Sequence, residues 1–252
     1  INASKGTLTT GKVNVGAGGI EGIDVSRGLV KVEGSGFDAS DTNYAAIIAK
    51  QVEINAKVYA QDLSVIAGEN IVTDLGVLGQ QVQSKNASGA DGAYGIDVSQ
   101  LGGMYAGKII LKSTDQGVGV RNAGELGASF NEIAITADGW LVNKGSIQSN
   151  QKTTIAVHAL DNKGVIGGKQ GLKIAAPKGV VNQGTLIAEN AAAGIALETS
   201  TLKNQGNVVS NGPLHIKAPQ GIDNSGQMIS NAAAPFHLQA LNLNNTGLLE
   251  SS

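Results

Sequence analysis

Short stretches of strict apolar–polar alternation recur along the whole chain. Residues 133–137 (IAITA), 172–176 (LKIAA), 214–218 (LHIKA) and 236–240 (FHLQA) carry an apolar side chain at every second place. That is the period of a strand with one buried side. The first half holds the same pattern at 52–60 (VEINAKVYA), at 63–68 (LSVIAG) and between the glycines of 28–34 (GLVKVEG). Strands this short cannot bury their apolar side alone, so each must stack on a copy of itself.

The interval between copies is set by Asn-x-Gly. Asn122, Asn143, Asn162, Asn182, Asn204, Asn224 and Asn245 are spaced by 21, 19, 20, 22, 20 and 21 residues, and each is followed two places on by Gly124, Gly145, Gly164, Gly184, Gly206, Gly226 or Gly247. An apolar residue stands one or two places before each asparagine: Val120, Val142, Leu160, Val181, Leu202, Ile222 and Leu243. Another stands two places after each of the first six glycines: Leu126, Ile147, Ile166, Leu186, Val208 and Met228. One unit of about 20 residues then holds about three short strands separated by turns. The fold class predicted is all-β, a parallel β-helix, with ladders of Val, Ile, Leu and Ala inside and Lys, Gln, Thr, Ser, Glu and His outside. Roughly a dozen coils at about 4.8 Å each would make a rod about 60 Å long. The Asn-x-Gly positions are expected to form a structural turn ladder. Asparagine tolerates left-handed backbone, glycine takes positive φ, and stacked asparagines can bond to one another along the rod. A leucine-rich repeat shares the period but needs a Leu-x-x-Leu-x-Leu frame, and that frame and the Gly-Gly-x-Gly-x-Asp nonapeptide are both missing.

Composition narrows the function classes. The chain has 252 residues, 41% hydrophobic and 15% charged, with 36 glycines in no Gly-X-Y register, which excludes a disordered chain and collagen. Aromatics are 3%, which suits a narrow core. A net charge of −2 without a basic block disfavours nucleic acid. No apolar run is long enough to span a bilayer, and there are no cysteines for disulfides or thiolate metal sites.

Residues 1–101 lack the Asn-x-Gly step but keep the alternation, so one continuous solenoid is expected, divided in function at 1–101 and 102–252. Two polar stretches, 35–43 and 79–94, are expected to protrude from the N-terminal half as loops or hairpins.

Several blocks resemble a known family. Residues 1–11 (INASKGTLTTG) are similar to the "INT…LTTG" stretch of two-partner-secretion exoproteins: the filamentous haemagglutinins, haemolysin-type and contact-dependent growth-inhibition exoproteins of Gram-negative bacteria. Residues 46–56 (AIIAKQVEINA) resemble that family's "LIAR-x-V-x-INA" segment, with 65–68 (VIAG) following. Residues 94–106 (YGIDVSQLGGMYA) and 117–124 (GVGVRNAG) resemble its next block, and 137–145 (ADGWLVNKG) its first haemagglutinin-type repeat. The resemblance implies a right-handed parallel β-helix, and residues 1–101 as the later part of the secretion domain with 102–252 as shaft repeats. It also implies export through an outer-membrane Omp85-type transporter to the cell surface or medium, and the stalk of an adhesin or contact-dependent toxin-delivery filament. The family's Asn-Pro-Asn-Gly secretion motif, expected before Ile1, is not in this sequence, so a fragment is expected. A receptor or glycan on host or neighbouring cells would be met through parts outside it.

Candidate chemistry is sparse, and neither a cofactor nor catalysis is expected. His158, His215 and His237 sit at alternate strand positions. His215 and His237 lie about one coil apart and could pair on a metal, but without a third ligand they read as outward strand residues. The alternative function, a carbohydrate-binding or polysaccharide-degrading β-helix, would need clustered acids and bases. Asp38 with Asp41, and Asp91 with Asp97, flank polar stretches and read as turn formers; the only arginines are Arg27 and Arg121. Gly16–Gly19 and Gly102–Gly103 lack the Lys-Ser/Thr of a phosphate loop. Trp140 and Phe236 are expected at an end, a corner or the core.

Overall fold

The computed structural model describes residues 4–75, 80–90, 92–190, 192–231 and 235–251. The fold is all-β, with no helix among the described residues, its parallel strands stacked as a β-solenoid of about 10 turns with about 21 residues per turn. Each turn has three faces. The first stacks residues 5–9, 44–49, 63–67, 109–113 and 133–137, and continues to 236–240. The second runs from 29–32 through 51–54 and 96–98 to 243–245. The third runs from 37–39 through 57–60 and 103–106 to 248–251. Lys57–Ala67, Gly103–Ser113, Ile133–Asn143 and Thr153–Asn162 pass round the corner from one face to the next as single long strands. About ten turns stand where a dozen were expected, because Lys12–Gly16, Gly19–Asp24, Asn70–Thr73 and Gln81–Ser84 form a separate sheet instead of adding to the rod.

The interior is one continuous column of Ile, Val, Leu, Met and Ala. No aromatic ring belongs to its largest fully buried side chains, so the tube can stay narrow. On the second face the inward place is always two residues before the asparagine: Val120, Leu141, Leu160, Val180, Leu202 and Ile222 are all buried. Val142 and Val181, one place before, are therefore outward and partly exposed, since neighbours on a strand point to opposite sides. Leu126, Ile147, Ile166, Leu186, Val208 and Met228 are fully buried on the third face.

The asparagines pair in register across turns, from Asn122 with Asn143 to Asn224 with Asn245. From Asn122 to Asn224 they are fully buried; Asn245, on the last turn described, is exposed. Each buried side chain donates its Nδ2 to the Oδ1 of the next asparagine at 2.7–2.9 Å. It also donates to a backbone carbonyl of the following turn, Asn162 to Thr185 and Asn204 to Gln227 for example. The glycines sit here for a reason other than the expected one. None of the seven has positive φ, and the non-glycine residues that do are Asp74 and Asn86. A Cβ at Gly184 would instead lie 2.0 Å from the Gly164 carbonyl oxygen, and one at Gly145 1.9 Å from that of Gly124. The glycines are thus needed for close approach of stacked backbones.

Of the two polar stretches, 35–43 does not protrude: its Phe37–Ala39 is a rung of the third face. In 79–94, Gln81–Ser84 belongs to an outgrowth from the rod; Gly79 and Asp91 lie outside the described residues.

Candidate functional site

Both outgrowths leave the rod at the corner between the first and second faces. Lys12–Gly16 and Gly19–Asp24 form one hairpin, with Gly19 at φ 111° in its tip, and Asn70–Thr73 pairs with Gln81–Ser84. The hairpins join through Ile23 with Val72 and Asp24 with Ile71 into a four-stranded antiparallel sheet. It covers the outer side of the first face, where Tyr44, Ala46, Ile48 and Ile66 pack against Ile23, Val25 and Val72. That explains the run YAAIIA at Tyr44–Ala49, whose every residue is buried. Ala45, Ile47 and Ala49 face the rod's core, and their neighbours face the added sheet.

Polar contacts fix the root of this sheet. Val25 and Asn70 exchange backbone hydrogen bonds at 2.8 and 3.2 Å, and Lys85 pairs with Asp24. Lys50 Nζ stands 2.8 Å from both Glu69 and the buried Asp115, whose Oδ1 accepts the Glu69 amide at 2.8 Å. Burial lowers the Lys50 pKa, but hydrogen bonds and charge from Asp115 and Glu69 outweigh it, and the net direction is up. Burial pushes the Tyr44 phenol up to about 12, and its Oη has no hydrogen-bond partner. The sheet's far side is open. Lys12–Gly16 is an edge strand, with Val13 41% exposed along it and Val15 and Ile20 71% and 63% exposed near the tip. An unpaired edge with apolar side chains is suited to pairing with another chain.

The model of the TPS secretion domain matches residues 1–143, over half of the chain and all of the decorated end. The chain belongs to that family. As a TPS-family exoprotein it is exported to the cell surface or secreted, and a TPS secretion domain implies a TpsB partner transporter. Among similar curated proteins, "Toxin CdiA" of Yersinia pestis is 43% identical over 174 residues, 67% of this chain and 5% of that protein. "tRNA nuclease CdiA-2" of Burkholderia pseudomallei is 42% identical over 58% of this chain, and "16S rRNA endonuclease CdiA" of Enterobacter cloacae 38% over 62%; the match covers 5% of each. The chain thus spans about one twentieth of these relatives' length, a part that the TPS region accounts for and that does not reach the toxin domain. No solved structure matches the TPS chain.

The candidate acids do not converge. Asp38 accepts from the Ser40 amide at 3.0 Å and hydroxyl at 2.6 Å, which lowers its pKa; Asp41 is exposed. Asp97 lies two turns away on the second face, in a two-pronged pair with Arg121, whose guanidinium stands 5.0 Å from the Tyr94 ring. The hydrogen bond that Arg121 donates to Asp97 is the main reason the Arg121 pKa is raised. Arg27 is exposed, and its carbonyl accepts from Thr10. Gly16–Gly19 forms the hairpin tip. Gly102 starts the glycine column, since a Cβ at Gly124 would lie 2.0 Å from its oxygen. His215 and His237 lie in adjacent turns of the first face with ring centroids 5.6 Å apart and planes tilted by 35°, and His158 Nε2 meets Asp138 at 2.7 Å. Among the described residues no group of three or more His, Cys, Asp or Glu could hold a metal ion. Trp140 points outward, 49% exposed, and Phe236 packs partly buried against the core.

The sequence reading missed the added sheet and the Lys50–Glu69–Asp115 cluster. The one available signal for the sheet was the unbroken apolar run at Tyr44–Ala49, which needs cover on both sides.

Proposed function

We propose that this chain is the export-recognition end and first shaft of a contact-dependent growth-inhibition exoprotein. In this reading residues 1–101 serve recognition by the TpsB transporter, and 102–252 begin the stalk that carries a toxin or adhesive tip. The carrying observation is the location of the added sheet: it lies wholly within the TPS-matched residues, while turns from Asn122 onward are nearly uniform. Its free edge strand and apolar tip supply the contact surface. The Asn and Gly columns serve only stacking, and no catalysis is assigned to these residues. The relatives' names, toxin and nuclease, favour toxin delivery over adhesion for the whole protein.

The test is binding of the chain to the periplasmic domains of its own TpsB transporter. Saturable binding is expected, weakened at least tenfold by Val15→Asp with Ile20→Asp. No binding, or binding indifferent to that pair, would remove the assignment.

A further inference from the structure

Turn by turn, the outward column of the third face reads Asp38, Tyr59, Tyr105, Gly127, Gln148, Gly167, Ile187. Tyr59 and Tyr105 stack with centroids 5.4 Å apart and planes at 22°. The column then loses its side chain: a Cβ at Gly127 would meet a single atom within 4 Å, Tyr105 Cδ1 at 3.7 Å. The side of the Tyr105 ring away from Tyr59 therefore borders a gap one side chain wide. This gap belongs to a groove of about 930 Å³ that continues past Gln148 and Gly167 to Ile187. Phe130, 83% exposed, stands on its wall. The entire chain has one Trp, four Tyr and three Phe, so the gathering of Tyr59, Tyr105 and Phe130 here is a marked concentration.

We propose that this groove binds an uncharged oligosaccharide, with one sugar ring seated over Gly127 against Tyr105. A pyranose presents a flat C–H face to an aromatic ring and hydroxyls at its rim. The groove offers both counterparts: Tyr105 as platform, and Glu125, Gln148, Asn131 and Asn150 as polar partners. The Glu125 carboxylate already accepts the Tyr105 hydroxyl at 2.9 Å, which fixes the orientation of the ring. Asp62, Glu125 and Glu189 against Lys169 give the lining an acidic balance, which repels uronate or sulfated chains and selects neutral ones. The sugar takes the place of the third ring in the tyrosine column, and the chain runs along the rod. This site is independent of transporter recognition.

Gly127→Tyr tests it cleanly, because φ at this position is ordinary and the added side chain fills the gap without touching the core. The purified chain is titrated with chitotetraose, cellotetraose, maltotetraose and tetragalacturonate by calorimetry and saturation-transfer NMR. At least one neutral tetrasaccharide is expected to bind saturably. Gly127→Tyr and Tyr105→Ala should each weaken it tenfold or more, while His215→Ala on another face leaves it unchanged. An unaltered melting temperature in Gly127→Tyr separates blocking from misfolding. The proposal is overturned by no neutral binding, by binding that survives Gly127→Tyr, or by binding of tetragalacturonate alone. It is also overturned if Gly127→Tyr abolishes transporter binding while no sugar binds, which would make the groove a protein contact.

Discussion

At the residue scale, the Asn-x-Gly step combines two separate demands. The asparagine is a buried amide whose donor is used by the next turn, and the glycine is an absence of side chain where two backbones meet. Asn162→Ala removes the acceptor for Asn143 and the donor to Asn182 and Thr185. A loss of about 1–3 kcal/mol is expected, read by denaturant unfolding, because buried partners are left unsatisfied. Asn162→Asp should be worse, since a buried carboxylate replaces the donating amide. Gly184→Ala should destabilise by about 1–3 kcal/mol, as a methyl is forced against fixed backbone. Gly127→Ala, with room for the methyl, should leave the melting temperature within a degree or two. The Asn-x-Gly interval was legible because it repeats, but the reason for the glycine was not, because it lies in a contact with a residue about 20 places earlier. The same holds for the tyrosine column and its gap: register across turns, not local pattern, brings Tyr59, Tyr105 and Gly127 into line.

At the element scale, alternation identified the strands but not their partners. Lys12–Gly16 (KVNVG) alternates as the rungs do, yet it pairs antiparallel in the added sheet. Nothing in a two-residue period says whether a strand joins the rod or leaves it. The sheet's docking should depend on pH through Tyr44. Its phenol is pushed up from an ordinary value of 10 to about 12, so the packed state favours the protonated form. That contribution, on the order of 2 kcal/mol, is complete below pH 10 and disappears as pH rises through 12. Lys50 is shifted the same way, so the readout is a difference. Hydrogen-exchange protection of residues 19–24 and 70–73 should fall less steeply with pH in Tyr44→Phe than in the parent. Tyr44→Phe should also be slightly more stable near neutrality, because it removes a hydroxyl without a partner. Lys50→Met strands the buried Asp115 and should cost about 1–3 kcal/mol, discounted because Lys50 is itself 26% exposed.

At the scale of the molecule, each turn touches mainly its two neighbours, so stability is a sum of turns and their interfaces. Exchange protection lost through Gly184→Ala should therefore centre on the turns carrying Gly164, Gly184 and Gly206, and fade toward the decorated end. A uniform loss along the rod would show that the chain behaves as one cooperative unit. About ten turns at about 4.8 Å give a rod of roughly 50 Å. The overestimate of its length and the missed sheet share an origin, since Lys12–Gly16 alternates as the rungs do but belongs to the added sheet.

The three corners of the rod differ in their tolerance of length. From Asn122 onward, two residues always separate the second face from the third, as at 123–124 and 205–206. The corner between the third face and the first takes three residues at 150–152 but four at 129–132. The variation from 19 to 22 residues per step is absorbed away from the asparagines. A single residue added at 183 should disturb the stacking of the turns on either side, because Gly184 is held against the Gly164 carbonyl. The rod is thus an axle with one bearing held to tolerance.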